Sequence, residues 1–311
     1  SVYCYTNCVI KSVFGVLNQK GWFSFLFIVG AISLLLLAVQ TTLAADNAPS
    51  TKGLTLSPIR SEPEIEPGRS LDRTLKLINY SDQAMTVRLS AEKFSVTNQQ
   101  YDYAFSAESD TAKWIIFSKD QVHLEPGKSE KIPYNIGVPL NAEPGGRYIS
   151  LFATTDTIAG DSGVKSRQRV ASLVYLTVMG KVSRVGHVVS LTSPWAITGS
   201  DSWSVALQNT GTTHFRSRYD VEVQNLIGNV MSSASGDALI LPSTVRLVSD
   251  ELPPPSLPGV YKIVYKIGLG DAPAVSETRY LLYMPSWASL LLILLIPLLV
   301  WLPTRMRSRK H

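Results

Sequence analysis

Two long uncharged apolar runs, one near each end, decide how much of this chain can fold in water. The first extends from Trp22 to Val39 and the second from Ser286 to Leu302. Each approaches the length of about 20 residues that a helix needs to cross a bilayer. Residues 46–285 lie between them, and that length suits two domains of about 100–120 residues each.

The first run has the layout of an export signal. Lys11 and Lys20 precede it, and small residues follow it, so we predict that residues 1–45 are a signal peptide cleaved at Ala44 or Ala45. The alternative is an uncleaved N-terminal anchor, because a run of this length can reach across a thin bilayer.

The second run predicts a transmembrane helix over residues 286–303. Trp287 and Trp301 stand near its ends, as aromatic residues do at membrane interfaces, and a basic tail follows at residues 304–311. Positive charge next to a span stays in the cytoplasm. The pattern therefore predicts a single-pass protein of the cell membrane, with its middle outside the cell and its C-terminus in the cytoplasm.

Charge and cysteine content limit the function of the middle of the chain. The formal net charge is +5, but six of the basic residues lie in the two flanking segments: Lys11, Lys20, Arg305, Arg307, Arg309 and Lys310. Residues 46–285 are close to neutral, which argues against a nucleic-acid partner. Both cysteines, Cys4 and Cys8, precede the first apolar run, so the middle has no disulfide, cysteine metal site or thiol nucleophile.

Residues 46–285 read as β structure throughout. Short alternating or β-branched runs, such as Leu71–Ile78 and Phe215–Gln224, recur between clusters of Pro, Gly, Asn and Asp. Seven or eight such runs in each half is typical of a β-sandwich. We predict an all-β fold of two tandem immunoglobulin-like sandwiches, residues 46–181 and 182–285, in addition to the C-terminal membrane helix.

The two halves also carry the same local motifs in the same order. A strand ends and turns at Asn79, and another does so at Asn209. Further along each half, a Pro-Gly turn precedes a tyrosine at a strand start, Tyr148 in the first half and Tyr261 in the second. This spacing predicts two structural tyrosine corners, in which the phenol bonds an upstream backbone group.

No motif in the chain indicates catalysis. None of the four histidines, which are His123, His187, His214 and His311, has metal-ligand spacing to another, and there is no Gly-x-Ser-x-Gly elbow or phosphate-binding glycine loop. We predict a protein that is not an enzyme and uses no metal or cofactor. A hydrolase with two converging acids outside any known motif stays open as an alternative.

One aromatic stretch is a candidate for binding. Tyr101, Tyr103 and Phe105 alternate among acidic and polar neighbours, which predicts a partly exposed face for a carbohydrate or protein. Trp114–Phe117, by contrast, is predicted to be core. The run Val170–Val178 is apolar on both faces, which predicts a central strand or one that a partner covers.

In layout, the chain resembles the WxL-interacting proteins of Gram-positive bacteria, which have an export signal, two immunoglobulin-like domains, a membrane helix and a basic tail. The resemblance rests on a Pro-Gly turn before Leu71–Asn79, on the Asn-x-Ser end of that strand, and on Leu124–Ser129 leading to Ile136–Pro139. It implies peptidoglycan contact by the first domain and a protein partner for the second. The same pattern is similar to the first domain of pilus-type chaperones.

Together these observations predict a non-enzymatic, membrane-anchored surface protein that binds the cell wall, another surface protein or both. The alternative is an extracytoplasmic assembly chaperone with a strand-donating domain, which predicts a soluble exported form and an unfilled groove beside Val170–Val178.

Overall fold

The computed structural model describes residues 53–156, 158–159, 165–288 and 291. The described part is almost entirely β structure and forms two immunoglobulin-like sandwiches, which confirms the all-β part of the predicted fold. Both sandwiches belong to one compact unit, Thr51–His311.

The first domain packs two sheets against each other. Sheet I has the order β1 (Leu54–Ser57), β4 (Ser70–Asn79), β9 (Ser129–Gly137) and β7 (Ile115–Phe117). Sheet II has β13 (Arg169–Val178), β10 (Gly145–Thr155) and β5 (Met85–Val96) at its centre, with β6 (Tyr103–Ser106) and β8 (Gln121–Leu124) beside β5. Two short strands, β2 (Arg60–Ser61) and β3 (Glu64–Ile65), pair in parallel with β13. A 3-10 turn lies at Ala112–Trp114, and β11 (Ile158–Ala159) pairs with β12 (Lys165–Ser166) between β10 and β13.

The second domain repeats this plan with fewer strands. Sheet III has the order β14 (Gly186–Thr192), β16 (Asp201–Asn209) and β19 (Val245–Leu252). Sheet IV has the order β15 (Ala196–Ile197), β21 (Ala272–Tyr283), β20 (Gly259–Leu269), β17 (Phe215–Gln224) and β18 (Val230–Ile240).

Alternation along each strand builds the cores. In β4, Leu75 and Leu77 are fully buried while Lys76 between them faces solvent. In β17, Phe215 and Tyr219 point inward, and the same alternation runs through β16 and β20. Each sandwich therefore has its own apolar cluster, one around Leu75 and one around the fully buried Trp203.

Pro-Gly turns connect the strands of the first domain as the sequence predicts. Gly68 and Gly127 adopt positive φ angles of 77° and 67°. Arg69 N–H donates to the Glu66 carbonyl and Lys128 N–H to the Glu125 carbonyl, both at 3.1 Å. Only glycine takes such a conformation at low cost, so the turns are fixed by these two residues.

A buried asparagine closes the same strand in both domains. The Asn79 amide donates to the carbonyls of Gln83 and Leu124 at 2.8 and 3.1 Å. The Asn209 amide donates to the carbonyls of Thr213 and Ile240 at 3.0 and 2.9 Å, and both asparagines are fully buried. The sequence echo between the halves thus corresponds to an equivalent corner in each sandwich.

The predicted aromatic core stretch is only partly internal. Ile115 is buried, and Trp114 and Phe117 pack against the first core, but Ile116 is 65% exposed. Ile116 lies on β7, where successive side chains point to opposite faces, so it points away from the sandwich.

The terminal predictions fall mainly outside the described residues. The predicted signal peptide, with Ala44 and Ala45, and the basic tail lie entirely outside the described residues. So does the predicted membrane helix from residue 289 onward, except for Leu291. Within the described part of the chain, no helix is long and apolar enough to cross a membrane.

Candidate functional site

The outer face of sheet II carries a row of aromatic side chains. Register places Phe94 on β5 opposite Phe105 on β6, and Tyr148 on β10 opposite Tyr175 on β13. The rings of Phe94 and Tyr148 are 5.7 Å apart, which joins the two pairs. We call this row, together with Tyr103 and Phe152 on the same face, the aromatic face.

The second domain covers one half of the aromatic face. Phe94 and Tyr175 are only 1% exposed and cluster with Leu239 and Leu241 of the second domain. The sequence predicted that β13 is either a central strand or a strand that a partner covers. Around Tyr175, the outer side of β13 is covered by the chain's own second domain. Burial raises the pKa of Tyr175 above its ordinary value.

Tyr101 fastens this covered half and is not part of an exposed binding face. Its backbone is left-handed, with φ 68°, and its side chain is 6% exposed. The hydroxyl accepts from the Leu241 N–H at 2.8 Å and lies 2.8 Å from the Thr244 hydroxyl, while the Arg246 guanidinium stacks 4.5 Å from the ring centre. The prediction that Tyr101 shares an exposed face with Tyr103 is wrong, because β6 begins only at Tyr103 and the preceding loop turns into the second domain.

The other half of the aromatic face is open to solvent. Tyr103 and Phe105 are 39% and 40% exposed on the edge strand β6, as the alternation predicts. Phe105 packs edge-on against Phe152 with ring centres 4.9 Å apart. The Arg169 guanidinium lies 3.4 Å above the Phe152 ring and also pairs with Glu92. A shallow depression beside them is lined by Arg88, Glu92, Thr154 and Arg169.

An exposed arginine borders the aromatic face at β2. The Arg60 guanidinium lies 5.2 Å from the Tyr175 ring centre, and the hydroxyl of Tyr175 lies 3.3 Å from that of Tyr103. Among the described residues, Arg60 forms no ion pair with a carboxylate. The open half therefore offers rings for stacking and a cation for an acidic group.

The two predicted tyrosine corners differ in the structure. The Tyr261 hydroxyl donates to the Leu257 carbonyl, four residues upstream, at 2.7 Å, which is the corner contact. Tyr148 instead places its hydroxyl 3.5 Å from Nδ1 of His214 in the second domain. The Tyr148 phenol lies over Gly146 of its own turn, but its hydroxyl contacts the second domain, so a contact between domains takes the place of the corner bond predicted at Tyr148.

Polar contacts join the domains next to this position. The hydroxyls of Thr177 and Thr213 are 3.1 Å apart, and Gly146 N–H donates to the Thr212 carbonyl at 3.0 Å. Glu62 pairs with Arg216, and Glu64 pairs with Arg184 at 2.7 Å. Burial lowers the pKa of His214 to about 4, so the ring is neutral at this interface near pH 7.

The groove predicted beside Val170–Val178 is largely filled. Backbone N–H groups of Leu173, Thr177 and Met179 donate to carbonyls of residues 59, 63 and 65 at 2.9 Å. No described strand pairs with Arg169–Ser172 on this side, but the Ser172 hydroxyl donates to the Pro58 carbonyl at 2.7 Å and the Leu54 N–H donates to Gln168 Oε1 at 2.9 Å. The start of β13 therefore lies beside β1 and the segment that follows it.

No cluster of three or more His, Cys, Asp or Glu side chains could hold a metal ion within the described residues. Sequence reasoning found Tyr103 and Phe105 but missed Phe152, Arg60 and Arg169, because sheet order, and not sequence spacing, brings these three to the same face.

Comparisons with known proteins give fold neighbours of low similarity. No protein-family model and no curated protein matches the chain. Among solved structures, the class 5 fimbriae chaperone CfaA aligns with a TM-score of 0.39 and 10% identity, covering 75% of this chain and 100% of that one. The Csu pili chaperone in its complex with a tip adhesion subunit, from Acinetobacter baumannii, gives 0.38 and 15%, covering 74% and 99%. The Salmonella enterica complex of SafA pilin with the SafB chaperone gives 0.37 and 9%, covering 76% and 98%.

Proposed function

We propose that this chain is a non-enzymatic extracytoplasmic binding protein that holds a segment of another surface protein, as an assembly chaperone does. Its C-terminal apolar run, residues 286–302, keeps it at the membrane. The observation that carries the proposal is the open half of the aromatic face, with Tyr103 and Phe105 on an edge strand and Arg60 and Arg169 beside them.

This surface has the composition of a protein-binding site. Aromatic and arginine side chains contribute most of the binding energy at protein interfaces. An edge strand exposes backbone donors and acceptors that an extended segment can pair with. The Csu and SafB chaperones named above are in complexes with a tip adhesion subunit and a pilin, and an equivalent client for this chain is part of the proposal. Membership of the WxL-interacting proteins stays a prediction.

The proposal is tested by site-specific photocrosslinking in the full chain. A photoreactive residue at Phe105 is expected to crosslink to a protein of the cell envelope. The control is Ile116, which is more solvent-accessible than Phe105 (65% against 40%) but lies on sheet I, away from the aromatic face. Changing Tyr103 and Arg60 to alanine together should abolish the crosslink at position 105. Equal crosslinking at both positions, or none at either, would contradict the proposal.

Binding to the cell wall is the second candidate, because half-exposed rings such as Tyr103 and Phe105 can also stack on sugars. It is tested by adding purified sacculi to the full chain without a photoreactive residue. Retention on sacculi that Tyr103→Ala and Phe105→Ala abolish would favour peptidoglycan. Retention that is unaffected by these changes would place wall contact elsewhere in the molecule.

A further inference from the structure

One end of the second domain exposes an unusual number of large apolar side chains. Trp195 is 77% exposed, Ile227 is 84% exposed and Leu257 is 67% exposed, each on a different loop. Leu226 and Trp287 add further exposed apolar surface at 56% and 50%. Isolated apolar residues on a surface are ordinary, but a group drawn from separate loops marks an interaction site.

Strand pairing brings these loops to the same end. Trp195 accepts a backbone bond from Leu282 at 2.8 Å, near the end of β21. Leu257 lies two residues before Gly259, which pairs with Tyr283. The loop with Leu226 and Ile227 follows Gln224, which pairs with Lys262 near the start of β20. We call these three loops, with Trp195, Leu226, Ile227 and Leu257, the apolar end.

The chain leaves the second domain through this apolar end. Tyr283 is the last residue of β21, and only Met284 and Pro285 separate it from the uncharged run that begins at Ser286. Met284 N–H still bonds the Ile197 carbonyl at 3.0 Å, and Pro285 is buried. Two extended residues span about 7 Å, so the second domain must lie within about that distance of the start of the apolar run.

We infer that the apolar end lies in the interfacial layer of the lipid bilayer and seats the second domain on the membrane. This inference rests on the membrane attachment in the proposed function and adds an orientation to it. Trp195 and Trp287 suit this layer because indole combines an apolar body with a polar N–H. Ile227 and Leu257 would pass from water to the boundary of the acyl chains, which removes their apolar surface from water.

Lipid explains the position of the apolar end better than a protein partner does. Its exposed residues surround the exit point of residues 286–302, where a bilayer holding that run would lie. A protein partner would need to occupy the same space beside the run. The contact is hydrophobic, because the residues that define the apolar end are uncharged, and it should therefore not require anionic lipid.

The test places single spin labels in the full chain after reconstitution into vesicles. Trp195→Cys, Ile227→Cys and Leu257→Cys are made in a Cys4→Ser, Cys8→Ser background, with Ile116→Cys as the control on the first domain. Each label is measured for collision with oxygen, which concentrates in lipid, and with a water-soluble nickel complex. Vesicles are phosphatidylcholine, with or without phosphatidylglycerol, at a protein content low enough to prevent contact between copies.

The expected result is a loss of nickel collisions and a gain of oxygen collisions at the three loop positions, in both lipids, with Ile116→Cys unchanged in water. If the chain floats with the vesicles after alkaline washing but the loop labels stay as accessible to nickel as Ile116→Cys, the inference is overturned and the membrane attachment stands. If the chain does not float, the attachment itself fails and the inference fails with it. Protection of the loops that appears only at high protein content would assign the apolar end to a second copy of the chain and also overturn the inference.

Discussion

Replacing Asn209 by alanine tests the claim that a buried amide closes each sandwich. The side chain takes part in three hydrogen bonds, donating to the Thr213 and Ile240 carbonyls and accepting from the Gly211 N–H. A typical intramolecular bond contributes about 0.5–1.5 kcal/mol, and each buried group left without a partner costs about 1–3 kcal/mol. We expect Asn209→Ala to lower the free energy of unfolding of the second domain by about 3 kcal/mol.

Hydrogen exchange of the full chain in mild detergent, read on peptides from β16 and β18, measures this loss in the second domain alone. Asn229→Ala is the matched control, because Asn229 lies on an exposed loop, and its change should stay within about 0.5 kcal/mol. Asn209→Asp should be worse than alanine at neutral pH, since a carboxylate would face two carbonyl oxygens. The folded state then raises the pKa of that aspartate, so stability should partly return as the pH falls. A loss below about 1 kcal/mol for Asn209→Ala would refute the reasoning.

Two further changes probe the contact between the domains, and a third tests the close approach of Gly211 to Ser183 within the second domain. Folding lowers the pKa of His214 from an ordinary 6.5 to about 4. The free energy of unfolding should therefore be constant above pH 6.5 and fall by up to about 3 kcal/mol as the pH drops to 4. When chemical unfolding is measured at each pH, His214→Gln should flatten this profile. Tyr101→Phe removes the hydroxyl that bonds the second domain, which should weaken the contact between the domains by about 1.4 kcal/mol. Proteolysis within residues 179–185 should then become about tenfold faster. Unchanged cleavage would argue against a role of the Tyr101 hydroxyl in holding the domains together. Gly211→Ala would place a methyl carbon 2.2 Å from the Ser183 carbonyl oxygen and should lower the melting temperature by several degrees, whereas Gly199→Ala, with nothing within 4 Å, should leave it unchanged.

The strand pattern could be predicted from the sequence because alternation is a local property. The bounds predicted for Phe215–Gln224 are those of β17, and the predicted run Leu71–Ile78 lies within β4. The short strands β2, β3 and β15 could not be found, since two residues carry no period. They exist only because a neighbouring strand offers an open edge.

The candidate site could be predicted only where its residues are close in sequence. Tyr103 and Phe105 are two residues apart on one strand, so alternation places them on the same face. Tyr101 has the same spacing, but a left-handed residue in a loop ends the alternation before it reaches the strand. The contribution of Phe152 and Arg169 depends on which strands are neighbours, and a single sequence does not contain that information.

The parallel pairing of β2 and β3 with β13 sets the order in which the first domain can be completed. The chain segment that emerges first closes the edge of a strand that is made more than 100 residues later. Until residue 178 is available, β2 and β3 cannot pair with β13, and the first sandwich is incomplete. Contacts between residues this distant in sequence form slowly. If the chain is exported from its N-terminus, the first domain stays incomplete until β13 has crossed the membrane. Shortening the chain between β1 and β4 would leave β13 exposed to pairing with other chains.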